Sequence, residues 1–210
     1  MSDGVKRSYR SERRREQAEQ TRERVLAAAA DAFVARGFEA ASVAAIAEEA
    51  GVSAETIYAR FGNKRTLLTE LVSRAARGSE TGPILEQAGA RAVAAASDQR
   101  EQLRLFADDI GRRLERASPL VAVVAATSLA DPELADLLEQ IHEARRANLA
   151  ALVRLLEGNG PLALPTHAAT ELVWALTSPE LYRLFTHVRG WSRRRYRAWL
   201  VDALTAALLR

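Results

Sequence analysis

The sequence predicts an all-α protein with an N-terminal three-helix, helix-turn-helix head followed by a larger helical domain. Hydrophobic residues make up 48% of the chain and are mostly Ala, Leu and Val, which is enough for a sizeable core. Ala and Leu favour helices, and no stretch sustains the alternation of apolar and polar residues typical of a β-strand. Two short amphipathic patterns meet at Gly51, as in two helices joined by a tight turn.

Composition excludes several kinds of protein. There is no Cys, so disulfides and thiolate metal sites are excluded. The N-terminus has no apolar stretch typical of a secretion signal, and the longest nearly apolar run, 120–130, is too short to span a membrane. We therefore expect a cytoplasmic protein with no membrane partner. The net charge of +3 is modest, so a case for nucleic-acid binding depends on where the charge lies.

Residues 1–18 form a basic arm that we expect to be disordered in the free protein. The arm has almost nothing apolar to bury, so it cannot offset the entropy of ordering. Two interpretations stay open: a solvated tail, or an arm that follows DNA phosphates or enters the minor groove. The basic residues of the arm are Lys6, Arg7, Arg10, Arg13, Arg14 and Arg15.

Residues 19–78 are predicted to form the head. Its first helix runs from about Glu19 to Arg36 and stops at Gly37. Ser42 and Ser53 precede the next two helices as N-caps, and Gly51 supplies the left-handed backbone between them. By spacing alone, this pair is either an ordinary helical hairpin or a unit whose second helix enters the major groove. The side chains predicted to close the head core are Phe33, Phe38, Ile46, Ile57 and Phe61.

The stretch between Thr21 and Leu71 resembles the DNA-binding domain of the TetR family of transcriptional repressors. The resemblance includes both turns, whereas residues 72–210 resemble the family only in length, in helical character and in the phrase WALTSPELYRLF, which is similar to one in some members' ligand-binding domains. The matching residues are Arg24, Val25, Leu26, Ala28, Ala29, Phe33, Gly37, Phe38, Ser42, Ile46, Ala47, Ala50, Gly51, Val52, Ser53, Thr56, Ile57, Tyr58, Phe61, Lys64, Leu67 and Leu68.

The resemblance implies which residues contact DNA. Positions that match the family's recognition helix meet bases and phosphates, and Lys64 matches a phosphate-binding lysine. Serine and tyrosine hydroxyls hold the backbone and fix the register, whereas Arg60 has the chemistry to read guanine. The predicted DNA-binding residues are Ser42, Ser53, Ala54, Glu55, Thr56, Tyr58, Ala59, Arg60 and Lys64.

Two positions depart from the commoner family pattern. Glu55 stands where Gly or Pro is frequent, and it either accepts a hydrogen bond from cytosine N4 or favours the positive helix N-terminus. Ala59 stands where a larger side chain is frequent. Because Ala54 and Ala59 offer no polar group, we expect thymine methyl contacts and DNA shape to contribute to recognition.

Residues 79–210 are predicted to form the second domain, after the break at 78–83. Asp131 and Pro132 mark a helix start, and the run 158–161 marks a helix stop. The resemblance implies that this domain binds a small effector and forms a homodimer through the helix of 132–157 and those of 165–188. The helices predicted here span 83–96, 98–116, 119–129, 132–157, 165–177, 179–188 and 192–209.

Four residues are candidates for the effector pocket: Phe106, His142, Arg145 and Trp174. His142 and Arg145 share a face of one helix, which is either a charged solvent face or part of a pocket. Walls of mainly Leu, Val and Ala favour an apolar or amphipathic effector.

A second basic cluster consists of Arg193, Arg194 and Arg195, after the predicted N-cap Ser192. Three arginines in the first turn of a helix oppose its dipole. The cluster is either a tolerated surface feature or a site for an anionic partner.

Enzymatic features are weak in this chain. Glu139 and His142 have the Glu-x-x-His spacing of di-iron bundles, but His167 and His187 follow Leu at the corresponding position, so no second copy exists. We expect no metal, no cofactor and no catalytic residue. The resemblance implies a transcriptional regulator that represses from palindromic operator DNA and is released by an effector. The alternative is a helical-bundle enzyme or small-molecule carrier with a degenerate head.

Overall fold

A computed structural model describes the backbone of residues 3–210 and the side chains of residue 13 and residues 15–210. Within this described part the fold is all-α, as predicted, and extended pairing is limited to one isolated antiparallel bridge between Leu162 and Leu209. The helices are α1 (Asp3–Ala40), α2 (Val43–Ala50), α3 (Ala54–Phe61), α4 (Lys64–Arg77), α5 (Ala88–Ala95), α6 (Gln99–Ser128), α7 (Pro132–Asn159), α8 (Thr166–Leu176), α9 (Pro179–Arg183) and α10 (Arg193–Leu208).

The first helix begins earlier than predicted. α1 starts at Asp3 instead of near Glu19, and it changes direction at Gly37, whose φ of 79° and ψ of 170° interrupt the helix where a stop was expected. Residues 1 and 2, and the side chains of residues 3–12 and 14, lie outside the described residues, so the basic arm is described only in part. Its disorder in the free protein stays a prediction.

The chain divides into two compact units, Met1–Leu71 and Val72–Arg210. α4 continues from the first unit into the second, whereas the predicted boundary lies at the loop that follows this helix. In the first unit, the predicted core side chains are buried, which confirms the three-helix core. They are Phe33, Phe38, Ile46, Ile57 and Phe61, and the rings of Phe33 and Phe38 stack with centroids 5.7 Å apart.

The core of the second unit joins side chains from α5 to α10. α10 contributes the most deeply buried set, because Tyr196, Leu200, Leu204 and Leu208 repeat at intervals of four along one face. The Tyr196 hydroxyl donates to the carbonyl of Leu176 at 3.0 Å, so this polar group is satisfied inside the core. α10 is therefore a central element of the second unit.

One predicted boundary is wrong, because the helices expected over 98–116 and 119–129 form the single helix α6. Pro119 lies inside it, although an interior proline removes a backbone hydrogen bond and costs about 3 kcal/mol or more. Apolar residues continue along the same face on both sides of the proline, with Leu114, Val121 and Val124 all buried. Packing of that continuous face outweighs the local preference for a break.

Two other predicted helices are shorter than expected. Over 83–96 the chain forms a 3₁₀ turn at Ile84–Glu86 and then α5, since the extended backbone of Gln87 separates the two. Over 179–188, α9 ends at Arg183 and a π-helical turn, Leu184–Val188, follows it. The break at Gln87 places its side chain in the interior, where its Oε1 atom accepts a hydrogen bond from Arg113.

Candidate nucleic-acid interface

Local capping fixes the two helices of the turn unit. Ser42 Oγ accepts a hydrogen bond from the N–H of Ala45 at 3.1 Å, which satisfies a free donor of the first turn of α2. Gly51 ends that helix in the left-handed region, with φ 64° and ψ 42°, and donates to the carbonyl of Glu48. Val52 donates to the carbonyl of Ala47, so the turn is held by the end of α2 itself.

Ser53 begins α3 in the same way. Its Oγ accepts from the N–H of Thr56 at 3.3 Å and lies 3.2 Å from Thr56 Oγ1. Hydrogen bonds from the backbone N–H of Glu55 and from the Ser53 hydroxyl lower the pKa of the exposed Glu55 carboxyl below its usual value. The Glu55 carboxylate therefore accepts hydrogen bonds at the N-terminus of its own helix. This arrangement is the one expected if Glu55 favours the positive helix N-terminus and does not bond to cytosine.

The third helix has one buried and one exposed face. Ile57 and Phe61 point into the core, and Ile57 is only 1% exposed. Tyr58 is 52% exposed, the largest exposed aromatic surface of this unit among the described residues. Glu55, Ala59 and Arg60 are exposed as well, and Ala54 and Thr56 are half-buried. The outward face thus presents Glu55, Thr56, Tyr58 and Arg60 as its polar groups.

The contact that Arg60 makes was not predictable from the sequence pattern. Its Nη1 atom donates to the carbonyl of Ala18 at 2.8 Å, 42 residues earlier in the chain. A guanidinium has five donors, and one bond to a carbonyl leaves others for a phosphate or a base edge. The bond fixes the direction of the side chain and ties the end of α3 to α1.

Lys64 has a similar structural role. Its Nζ atom donates to the carbonyl of Phe38 at 2.7 Å and lies 4.3 Å from the centroid of the Phe38 ring. The carbonyl of Glu39 is 3.4 Å away. The ammonium therefore satisfies carbonyls left free where α1 ends, and its third proton direction stays available for an anion. The only sequence signal was the helix stop at Gly37, which predicts free carbonyls but not their partner.

A further cation of the first unit was missed at the sequence level. Arg22 forms an ion pair with Glu70, and its guanidinium carbon lies 5.5 Å from the centroid of the Phe61 ring. These contacts join α1, the end of α3 and α4 around one partly buried arginine. Because Arg22 and Glu70 are 48 residues apart, no local periodicity points to the pair.

Ser53→Ala tests how far capping holds the recognition helix. The substitution removes the acceptor of the Thr56 N–H, and loss of a serine N-cap costs about 0.5–2 kcal/mol. We expect the free energy of unfolding to fall within that range in chemical denaturation followed by circular dichroism. Ser73→Ala is the matched control, because Ser73 is exposed within α4. An equal effect of both substitutions would contradict a specific capping role.

The candidate pocket residues of the second unit are only partly brought together. His142 and Trp174 lie edge to face with ring centroids 5.6 Å apart, and the Arg145 guanidinium carbon lies 5.5 Å from the Trp174 centroid. Phe106 belongs to the buried core of the second unit, and Trp174 is among the side chains that pack against this core. His142, Arg145 and Trp174 thus form one cluster between α7 and α8.

A separate open cavity of about 410 Å³ lies on the second unit between α6 and the α9 region. Small and apolar side chains form most of its wall, together with Glu180, Arg183 and His187. In the part of the chain that the structure describes, no group of three or more His, Asp or Glu is placed to hold a metal ion. The other lining residues are Ser118, Ala122, Ala125, Pro179, Leu184 and Val188.

Two arginines of the second basic cluster have partners within the chain. Ser192 caps α10 by accepting from the Arg195 N–H at 3.2 Å, as its position predicted. Arg193 forms an ion pair with Glu115, and the Arg195 guanidinium carbon lies 4.3 Å from the centroid of the Trp191 ring. These contacts agree with a surface cluster held by its own neighbours.

An all-α chain with a capped two-helix unit and an exposed polar face on the second helix belongs to the class of helix-turn-helix proteins. Residues 25–71 match the model of the family described as bacterial regulatory proteins, tetR family. The N-terminal unit therefore contains a DNA-binding domain of the TetR-family type, which confirms the resemblance seen in the sequence over these residues. This family consists of regulators, so the findings point away from an enzyme.

Individual relatives agree with this family. The HTH-type transcriptional regulator YvkB of Bacillus subtilis (strain 168) is 42% identical over 67 residues, which are 32% of this chain and 34% of YvkB. The match thus spans about a third of that relative's length. The TetR-family regulator PfmR from Thermus thermophilus is 25% identical, with a TM-score of 0.66 over 89% of this chain and 99% of PfmR.

A third relative shares the fold at lower identity. It is the transcriptional regulator FadR from Bacillus subtilis in complex with stearoyl-CoA, which is 17% identical and has a TM-score of 0.64 over 87% of this chain and 96% of FadR. Both structural matches extend through the second unit, so the fold of the family covers nearly the whole chain. None of the helices in the described residues is both long enough and apolar enough to cross a membrane.

Proposed function

We propose that the protein binds palindromic operator DNA as a homodimer, represses transcription in the cytoplasm and is released by a small-molecule effector. The observation that carries the DNA-binding part is the outward face of α3, where Thr56, Tyr58 and Arg60 stand on a helix fixed by caps and by a buried Ile57. A rigid helix that presents such groups suits the major groove.

The remaining predicted contacts position the duplex. Ser42 and Ser53 lie at two helix N-termini, where hydroxyl and N–H groups favour phosphate oxygens. Lys64 adds positive charge beside them while holding the end of α1. Ala54, Glu55 and Ala59 complete the proposed interface, and the alanines favour contact with thymine methyl groups.

Dimerisation follows from the size of the DNA site. One small head covers little DNA, whereas two heads about 34–36 Å apart read successive major-groove faces of a palindrome. We place the interface on α7 and on the chain of 165–188. Exposed apolar side chains on these segments support the choice: Leu155, Leu184 and Val188.

Release by the effector is a shift between two populations. One chain carries a DNA-reading unit, a helix that continues out of it and a separate helical unit. An effector that binds more tightly to one conformation of the second unit increases the population of that conformation. If the two heads of the dimer are then spaced differently from successive major grooves, the operator is released. The proposed pocket residues are Phe106, His142, Arg145 and Trp174, and walls rich in Leu and Val favour an apolar or amphipathic ligand.

Fluorescence anisotropy with duplexes from beside this protein's own gene, and with sites selected from a random duplex library, tests the DNA-binding part. We expect Tyr58→Ala to weaken operator binding about tenfold or more, because base and backbone contacts on a recognition helix contribute about 1–3 kcal/mol each. Val34→Ala is the matched control, since Val34 is similarly exposed but lies on α1.

Salt dependence provides a second readout of the same experiment. Binding that releases counterions weakens steeply between about 50 and 200 mM salt, by a factor on the order of 10³ for six phosphate contacts. Selection that finds no preferred site, or equal affinity for the wild type and Tyr58→Ala, would contradict the proposed function. Equal operator affinity with and without every ligand that binds the second unit would contradict effector release alone.

A further inference from the structure

We propose that His142, Arg145 and Trp174 form a subsite for the carboxylate of an amphipathic monocarboxylate effector. This inference rests on the proposed function, because it names the chemical class that the regulator's second unit binds. The supporting observations are one partly buried cation and two buried ring nitrogens between α7 and α8.

Arg145 is held in place from one side only. Its Nη2 atom donates to the carbonyls of Trp174 at 3.1 Å and Thr177 at 2.9 Å, at the C-terminal end of α8. These bonds orient the guanidinium across the indole of Trp174. The Nη1 atom is buried and has no hydrogen-bond partner among the described residues. The Nη2 atom of the guanidinium is thus hydrogen-bonded, whereas the Nη1 atom has no acceptor within the described part of the chain.

The charge of Arg145 is not matched by a direct ion pair. Burial lowers the pKa of this guanidinium below its ordinary value, and the negative charge of Glu180 opposes that change. Within the described residues, no carboxylate forms an ion pair with it. Removing a cation even partly from water without a counter-ion is costly, and the negative end of the α8 dipole offsets only part of that cost. An anionic ligand supplies the missing charge.

Two neighbouring side chains also lack hydrogen-bond partners. Trp174 Nε1 and His142 Nδ1 are buried, and neither bonds to any group in the described part of the chain. Indole and guanidinium nitrogens only donate, so the absent partner of Trp174 and Arg145 must be an acceptor. A carboxylate has two oxygens and takes several donors, and its single negative charge matches the single arginine. A phosphate monoester would bring a second charge that this cluster does not balance.

Apolar side chains adjoin the same cluster, because Trp174 packs against the buried core of the second unit. A ligand with a carboxylate head and an apolar tail suits a polar cluster that adjoins apolar side chains. Glu180 itself is exposed and would repel the head, so its removal should not weaken binding.

Isothermal titration calorimetry on the full chain tests the subsite with octanoate, decanoate and 4-phenylbutyrate, each paired with its alcohol. We expect at least one carboxylate to bind about tenfold or more tightly than its alcohol, since charge-assisted bonds are roughly twice as strong as neutral ones. Arg145→Met should abolish this preference. Trp174→Phe keeps an aromatic ring and removes the Nε1 donor, so it should weaken the carboxylate and leave the alcohol unchanged.

The controls separate a lost ligand contact from a damaged fold. Thermal unfolding of each variant reports folding, and Glu180→Gln, a nearby charge change, should bind the carboxylate at least as tightly as the wild type. Failure of all three carboxylates to bind, or equal binding of acid and alcohol, would overturn the subsite. Operator anisotropy of the same samples distinguishes the two proposals. Operator binding without carboxylate binding would contradict only the subsite. Carboxylate binding without operator binding would contradict only the DNA-binding role.

Discussion

Ile57→Ala should lower the free energy of unfolding of the N-terminal unit by about 2–5 kcal/mol, as large-to-small changes do at fully buried sites. Ile57 is the side chain that fixes α3 on the core, and Phe61 is its partner one turn later. Truncation leaves a cavity under the helix that presents Tyr58. We therefore expect operator binding to fall with stability, although Ile57 itself meets no DNA.

Chemical denaturation followed by circular dichroism, with operator anisotropy on the same samples, measures both effects. Val34→Ala serves as the control, because it removes the same kind of apolar atoms from a side chain that is 50% exposed. We expect that control to change stability by less than about 0.5 kcal/mol. A small effect of Ile57→Ala, comparable with the control, would mean that α3 is not held by this contact.

Arg113→Met should destabilise the second unit by about 3–5 kcal/mol, the typical cost of removing one partner of a buried ion pair. Arg113 is buried and makes three hydrogen bonds: to Asp109 at 2.7 Å, to Gln87 Oε1 at 2.8 Å and to the carbonyl of Ala76 at 2.9 Å. Methionine fills similar space but leaves the Gln87 and Ala76 oxygens without this donor, whereas Asp109 keeps its contact with Arg112. The Ala76 carbonyl lies at the end of α4, so the substitution removes one of two arginine contacts to the last turn of that helix, the other being the bond from Arg116 to the carbonyl of Ala75.

Arg112→Met is the matched control, because Arg112 pairs with Asp108 and Asp109 while its side chain is 45% exposed. Exposed pairs contribute about 0–1 kcal/mol, so this change should be small. Thermal unfolding compares the two variants, and operator anisotropy with and without an effector shows whether the α4 contact affects coupling. Similar decreases in the free energy of unfolding for both variants would show that the burial of Arg113 does not determine how much it stabilises the second unit.

Local patterns predicted the head well because the signals act within one or two turns. The caps at Ser42 and Ser53 lie three residues from the N–H groups that they accept, and Gly51 lies directly at the turn. The inward spacing of Ile57 and Phe61 belongs to the same short range. Helix boundaries were less predictable, since packing carries α6 through its internal proline and an extended residue separates α5 from the turn before it.

The sequence by itself determined the all-α class, the helix-turn-helix unit and the face of α3 that points outward. Only the tertiary structure decided which partners the cations take. Arg60 bonds to a carbonyl 42 residues away, Lys64 to one 26 residues away and Arg145 to two at the end of another helix. The reason is physical: periodicity and capping depend on neighbours along one helix, whereas these bonds form only after separate helices have packed.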